Sequence, residues 1–339
     1  MKVLLLAGGD SNEREVSLTS GAAVCGALQR LGHEVVALDP GTARPLVTQE
    51  GKLVETLSSE DGESESMASL PQVAEALSLD RYSNVDVVFI ALHGGRGENG
   101  SIQNLLSMGG MKFTGSPMAA SAVAMNKSIS KRVMASLGIE TPRWGLVERA
   151  GRDSVSNIAD EINHQFGLPV IIKPNEGGST IGLTLVKQAG KIADALDLAW
   201  QEGGAAMVEE YIEGRELTVS VLDSEPQPVV EIVPKSGLYD YEAKYTKGMS
   251  EYIVPAEITD EAASQLMTDA VQLYDAIGAR GLARVDFLMA ETTRTYCLEL
   301  NTVPGLTELS LAPMALKANG VSFDQLIERL ISTAHARQD

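Results

Sequence analysis

Apolar positions in this chain fall into short continuous runs, several of them cut off by glycine. "KVLLLAGG" is the first such run and predicts a buried strand. An Ala-rich stretch follows, from about Ser17 to Leu31, and predicts a helix with Gly32 as its stop. "HEVVALDP" then reads as a second strand, so the chain opens β-α-β, the order of a parallel sheet. "VDVVFIALHGG" is a further buried strand that runs into a Gly-rich loop. Up to about residue 118 the pattern is open α/β. Both "AGGDSNERE" and "LHGGRGENG" lie at carboxyl ends of strands, where such sheets bind ligands.

Beyond residue 118 the periodicity changes. "MNKSISKRVMASLGIETP" (125–142) predicts a helix stopped at Gly138 and followed by Pro142. "LPVIIKPNEGGSTIGLTLV" reads as strand, Gly-rich turn and strand, a hairpin with β-branched residues on both arms. "AAMVEEYIEGRELTVSVL" is a strand, a short link and another strand. In "LELNTVPG" side-chain alternation predicts Leu298 and Leu300 on one side and Glu299 and Asn301 on the other, before Pro304 and Gly305 turn the chain. Ser322 and Gln325 form a capping box for a helix whose apolar face is Phe323, Leu326, Ile327, Leu330 and Ile331. "SSEDGESESMAS" (58–69) reads as a solvated, low-complexity loop, and no internal repeat is evident.

Composition adds limits. A chain of 339 residues suits two or three compact units, and 44% hydrophobic with 22% charged residues is ordinary for a globular protein. A net charge of −19 repels nucleic acid and anionic membranes at long range, yet leaves room for a small phosphate ligand held by a few converging lysines. No apolar run is long enough to span a bilayer, and the first one is too short for a signal peptide, so a cytoplasmic protein is expected. Cys25 and Cys297 share no metal or redox spacing and read as reduced, structural thiols.

Four stretches carry candidate chemistry, each with a plainer alternative. Asp286 on one strand and Glu299 with Asn301 on the next offer three hard oxygen donors if those strands pair. That set suits Mg²⁺; otherwise these are polar strand ends facing water. There is no His/Cys cluster for zinc. In "KPNEGGSTIG", Gly177, Gly178 and Gly182 permit close backbone approach to phosphate, with Lys173 adding charge; a simple tight turn is the alternative. The Walker spacing is absent. Lys127 is a phosphate ligand or a solvated helix lysine, and "VEEYIEGRE" is a nucleoside-binding link or an acidic hinge.

Taken together these stretches resemble the ATP-grasp superfamily, and within it the D-alanine–D-alanine ligase family. The resemblance runs nearly end to end through "NEREVSLTSG", "ALHGGRGENGSIQ", "YEAKY", "GLARVDF" and "LELNTVPGLTELSL", in that order. It implies a mixed α/β and α+β fold of three units: an N-terminal open parallel-sheet domain on the substrate side (1–118), a central ATP-grasp subdomain (119–209) and a C-terminal subdomain carrying metal and catalytic residues (210–339). It further implies ATP, two Mg²⁺ ions with Mn²⁺ as a substitute, D-alanine as substrate, no nucleic-acid or membrane partner, and a homodimer.

By the same resemblance, Lys127 and Lys173 match phosphate-binding lysines. The flap from Glu176 to Gly182, including Gly177, Gly178 and Ser179, covers the nucleotide. Glu209, Tyr211, Ile212 and Glu216 match adenine and ribose contacts, while Asp286, Glu299 and Asn301 match metal ligands. Glu13 matches the residue that binds the first D-alanine's ammonium, with Ser179 and Tyr245 as its hydrogen-bonding partners, and His93 lies at a substrate-site histidine. Lys244 and Ser310 match binders of the second D-alanine's carboxylate. Arg284 and the N–H of Gly305 match oxyanion donors, and a segment from about Ser236 to Ser250 matches a closing loop. The implied reaction joins two D-alanines through an acyl phosphate, for peptidoglycan precursor synthesis. The rival readings are the same chemistry with another acceptor (D-lactate, D-serine or another amino acid), and a non-catalytic nucleotide-binding protein. Tyr245 favours the dipeptide, and the presence of Asp286, Glu299, Asn301 and Arg284 together argues for catalysis.

Overall fold

The computed structural model describes residues 1–55, 67–149, 152–235, 248–290 and 294–337. Most of the low-complexity stretch 58–69 falls outside them. Within them the backbone forms three sheets. The first has the order β4-β3-β2-β1-β5, where β1 is Lys2–Leu6, β2 Glu34–Asp39, β3 Arg44–Gln49, β4 Lys52–Glu55 and β5 Val87–Ile90. β1 pairs in parallel with both β2 and β5, as the β-α-β pattern predicts. The sheet is nevertheless mixed: β3 and β4 form an antiparallel hairpin on its edge. Its two-residue loop, Glu50-Gly51, has φ of 50° and 76°, the positive values that match strand twist in a tight hairpin. Glu-Gly is a weaker turn signal than Asn-Gly, and so the sequence pattern passes over it.

The helix Arg14–Arg30 lies against β1, and Gly32, at φ 80°, ends it. Gly21 allows the approach, since a Cβ there would stand 2.5 Å from the Ala7 Cβ. The helix Phe323–Ala336, which opens with the expected Ser322–Gln325 capping box, packs beside it. Leu326, Ile327, Leu330 and Ile331 share one core with Val3, Leu5, Val24, Leu28 and Phe89. Burial of each such aliphatic side chain contributes roughly 1.5–3 kcal/mol.

The second sheet has the order β6-β9-β7-β8, with β6 Trp144–Glu148, β7 Val170–Pro174, β8 Thr184–Val186 and β9 Ala205–Glu210. The predicted hairpin is present as the antiparallel pair of β7 and β8. The third sheet runs β13-β12-β10-β14-β15: β10 is Arg215–Leu222, β12 Val230–Pro234, β13 Ser250–Ile253, β14 Leu282–Met289 and β15 Thr295–Asn301, with β11 (Glu225–Pro226) pairing to β10. Residues 211–214 carry the chain from the second sheet into the third. Along β14, Ala283, Val285, Phe287 and Met289 enter a core that includes Leu266 and Leu273 of the helix Asp260–Ile277. Arg284, Asp286 and Leu288 therefore face the other way.

The partner strand β15 breaks the predicted alternation. Its register to β14 shifts between Asp286 and Phe287, so that Asp286 opposes Glu299 while Phe287 opposes Cys297. Leu298 is the extra residue of a β-bulge. Leu300 enters the core, but Leu298 joins Glu299 on the opposite wall, which corrects the expected Leu298/Leu300 face. Cys25 and Cys297 are both buried free thiols. Among the described residues, no helix is long and apolar enough to cross a membrane.

Candidate functional site

A cavity of about 310 Å³ lies between the second and third sheets. Ile171 and Lys173 of β7 line one wall, and Glu216, Asp286, Leu288, Leu298 and Glu299 of the third sheet line the other. The glycine-rich turn from Gly177 to Ile181 and the link Glu210–Gly214 close two edges, so Tyr211 and Ile212 also face the space. Lys127 enters from the first turn of the helix Lys127–Ser136.

That helix start is fastened to the turn. Asn126 caps the helix by accepting from the Ile129 N–H at 3.1 Å, and its amide donates to Glu176 Oε1 at 2.8 Å. Lys127 Nζ donates to the Gly177 carbonyl at 2.6 Å and lies 3.6 Å from Glu299 Oε2. A cation thus stands between the turn and a carboxylate of the opposite sheet.

Glu209 lines the cavity beside Lys173, and the two form a buried ion triad with Lys131 behind them. Glu209 Oε1 is 2.7 Å from Lys131 Nζ, and Oε2 is 2.7 Å from Lys173 Nζ. Burial alone would push the Glu209 carboxyl up. The two ammonium groups overrule it and hold the pKa at about 2. Burial pulls the Lys131 ammonium below its ordinary range against Glu209. With two cations on one carboxylate, the ionised acid is the state that the geometry supports. Sequence reasoning missed Lys131. Its signal was the spacing: Lys127, Lys131 and Met134 recur at i, i+4 and i+7, a single helix face, and all three are buried.

On the far side of the turn, Glu13 presents a nearly buried carboxylate at the start of the first helix. Ser179, in the left-handed region at φ 49°, donates its hydroxyl to Glu13 Oε1. Two glycines press on the same group: a Cβ at Gly94 or Gly178 would stand 2.5 or 2.6 Å from Oε2. The turn is therefore folded down onto the N-terminal sheet, and Asn12 adds a bond to Glu202 at 3.1 Å.

His93 is buried, with both ring nitrogens engaged. Nδ1 is 2.8 Å from the Val303 carbonyl, which can only accept, so Nδ1 carries the proton and Nε2 accepts from Ser20 Oγ at 2.9 Å. Burial lowers its pKa, against the pull of Glu13, in keeping with a neutral ring. Glu98, a second residue missed by sequence reasoning, is also buried. Its Oε2 accepts from the Gly94 N–H at 3.0 Å and its Oε1 from the Val303 N–H at 3.4 Å. Burial first, then the charge of Glu13, raises its pKa to about 7.

That shift has a thermodynamic consequence. A carboxyl whose pKa is higher in the folded chain binds its proton more tightly there, so its contribution to stability is largest below the ordinary value of 4.5 and declines until about pH 7. The advantage of the wild-type over Glu98→Gln, measured by denaturant unfolding without nucleotide, should shrink by roughly 3 kcal/mol between pH 4.5 and 7. A constant difference would place Glu98 at an ordinary pKa.

Arg284 binds Asp286 with two bonds, Nε to Oδ1 and Nη2 to Oδ2, both 2.8 Å, and Thr218 Oγ1 donates to Oδ1 at 2.7 Å. Asn301 stands opposite Arg284 in the ladder, and its Oδ1 accepts from the Val303 N–H at 3.0 Å. It does not line the cavity itself. Among the described residues no three His, Cys, Asp or Glu side chains form a metal cluster. The donor set Asp286–Glu299–Asn301, two carboxylates and an amide oxygen, nonetheless has the hard-oxygen chemistry of a Mg²⁺ site. Asp286 Oδ2 retains acceptor capacity beyond its bond to Arg284. Gly305 lies against Ser310, where a Cβ would be 3.0 Å from Oγ; that oxygen accepts from the Thr307 N–H at 3.1 Å. Lys244, Tyr245 and most of the segment 236–250 lie outside the described residues.

Two antiparallel sheets closing on a cavity, with lysines on one wall and an Asp–Glu pair on the other, define an ATP-grasp architecture. The chain belongs to the D-alanine–D-alanine ligase family: residues 2–116 match the family model for the "D-ala D-ala ligase N-terminus" and residues 133–332 that for the "D-ala D-ala ligase C-terminus". It is 39% identical over 337 residues to the D-alanine–D-alanine ligase of Syntrophotalea carbinolica, covering 99% of this chain and 97% of that protein. With the enzyme of Aquifex aeolicus it shares 39% identity over 335 residues, 98% of this chain and 100% of that one. Among solved structures, the D-alanine–D-alanine ligase from Bacillus anthracis complexed with ATP superposes with a TM-score of 0.74 at 25% identity, covering 98% of this chain and 97% of that one. The VanG D-Ala:D-Ser ligase from Enterococcus faecalis superposes with a TM-score of 0.77 at 27% identity, covering 98% and 99%.

Proposed function

We propose that this protein is an ATP-dependent ligase that joins two D-alanines into D-alanyl-D-alanine, for peptidoglycan precursor synthesis. One observation carries the reading. The glycine-rich turn touches Lys127 on its nucleotide side and Glu13 on its other side, so that a single closed segment separates and aligns two binding spaces. ATP occupies the cavity, its base against Tyr211, Ile212 and Leu298, its ribose near Glu216, and its phosphates under the turn and beside Lys127 and Lys173. Asp286 and Glu299, with Asn301, would hold two Mg²⁺ ions or Mn²⁺ in their place. Bound divalent ions supply charge neutralisation on phosphate oxygens.

Glu13 receives the ammonium of the first D-alanine. The carboxylate of that D-alanine attacks the γ-phosphorus, breaking its bond to the β,γ-bridging oxygen and giving an acyl phosphate and ADP. The amine of the second D-alanine then attacks the acyl carbon, the peptide bond forms, a proton is lost and phosphate leaves. Arg284 and the Gly305 N–H stabilise the oxyanion, Ser310 and Lys244 bind the second carboxylate, and Tyr245 joins Ser179 in holding Glu13. The closed turn keeps water from the acyl phosphate. His93 acts by holding the loop that carries Gly305. The homodimer implied by the family belongs to this reading, and light scattering tests it.

Incubation with ATP, Mg²⁺ and D-alanine should release phosphate and yield a product with the mass of the dipeptide. No phosphate release above the nucleotide-only background would refute the proposal. The likeness to a D-Ala:D-Ser ligase makes D-serine the acceptor to compete against D-alanine. Gly178→Ala should raise KM for D-alanine roughly 10-fold, because the added methyl would displace the turn from the Glu13 carboxylate. An unchanged KM would mean that the closed turn is not the working state.

A further inference from the structure

The loop between β15 and Ser310 is gripped from the N-terminal sheet on both sides of Gly305. Upstream, both polar groups of Val303 are taken: His93 Nδ1–H donates to its carbonyl at 2.8 Å, and its N–H points to Glu98 Oε1 at 3.4 Å and to Asn301 Oδ1 at 3.0 Å. Downstream, the Leu306 N–H donates to Ser20 Oγ at 3.3 Å, and the same oxygen bonds His93 Nε2. Glu98 is the carboxyl member of this grip. Its second oxygen accepts from the N–H of Gly94, the glycine that packs on Glu13.

The local fold places Glu98 deliberately. It ends the short helical turn Gly95–Glu98. Gly97 lets that turn press on Leu92, where a Cβ would come within 2.3 Å of the leucine Cβ, and Gln103 Nε2 donates to the Gly97 carbonyl at 2.7 Å. A carboxyl group is costly to bury, and an apolar residue here would be cheaper. What an apolar residue cannot do is accept from two backbone N–H groups that belong to two different sheets' loops.

We infer that Glu98 is a positioning residue for peptide-bond formation: by holding the Val303 peptide against the Gly94 turn, it sets the Gly305 N–H relative to the acyl group bound at Glu13. The inference rests on the reading of Gly305 and Arg284 as oxyanion donors. Glu98 does not line the nucleotide cavity, so its removal acts on turnover and leaves ATP binding alone.

Steady-state kinetics of the full chain with ATP, Mg²⁺ and D-alanine test this. Glu98→Gln is isosteric but turns an NH2 group toward one of the two amides. It should lower kcat about 10-fold, with KM for ATP within about 2-fold and Tm close to wild-type. Glu98→Ala should lower kcat further, because the glutamine oxygen still serves one amide. A Glu98→Gln kcat within about 2-fold of wild-type overturns the inference. So does a loss matched by an equal rise in KM for ATP, or a Glu98→Gln chain that fails to fold, since each makes Glu98 a general structural residue. Arg284→Lys in the same assay separates the two readings. If it loses kcat while Glu98→Gln does not, only the positioning inference fails; if neither loses kcat, the oxyanion reading fails as well.

Discussion

Arg284→Met is expected to lower kcat by about 10²- to 10³-fold, the usual cost of one oxyanion donor. The guanidinium faces the side of β14 opposite the core, and its two bonds to Asp286 fix its plane before any substrate arrives. Such preorganisation makes the donor effective, because no reorientation is needed as charge develops. The substitution also leaves Asp286 with Thr218 as its remaining hydroxyl donor. Some stability should be lost as well, since both side chains are less than a fifth exposed and Asp286 gives up two charge-assisted bonds. Arg284→Lys should recover little of the rate, because an ammonium cannot make the two-pronged contact with Asp286. A kcat within about 3-fold of wild-type in both variants would remove Arg284 from the reaction.

The second large effect is on folding. Glu209→Gln should cost about 3–5 kcal/mol, the penalty for leaving buried charge uncompensated. Lys131 and Lys173 would then face each other across a neutral amide in the interior. Thermal unfolding should show Tm falling by on the order of 10 °C. Part of the loss should return at high pH, where Lys131, already pulled below its ordinary pKa, sheds its proton. Adding Lys131→Met to Glu209→Gln should recover stability, because the second variant removes the repelling charge. If the double variant were less stable than Glu209→Gln alone, charge balance would not be what the triad provides.

How far the sequence could be read depended on the distance between partners. The hairpin from Val170 to Val186, the Ser322–Gln325 cap and the stop at Gly32 are local, and their residues announce them. The pairing of Asp286 with Glu299 was also accessible, since the two strands are consecutive. The bulge at Leu298 was not: alternation is the default, and only the paired strand reveals a slip. Lys131 reads as a solvated helix lysine until Glu209, on another element, is brought to it. Glu98 is the extreme case, as its bond to Val303 spans 205 residues of chain. Nothing near either residue in sequence encodes that contact.

The core shared by Leu326, Ile327, Leu330 and Ile331 with Val3, Leu5 and Phe89 bears on synthesis. A ribosome adds about 5–20 residues per second, and N-terminal units ordinarily fold as they emerge. Here the first sheet leaves the exit tunnel with one face covered only in part, by the helix Arg14–Arg30, and the helix that completes the cover is translated only after both other sheets. Folding of that sheet is therefore post-translational in its final step and of high contact order. Until then the nascent chain carries an open apolar surface, and a chaperone holding it through that interval would raise the yield of active protein.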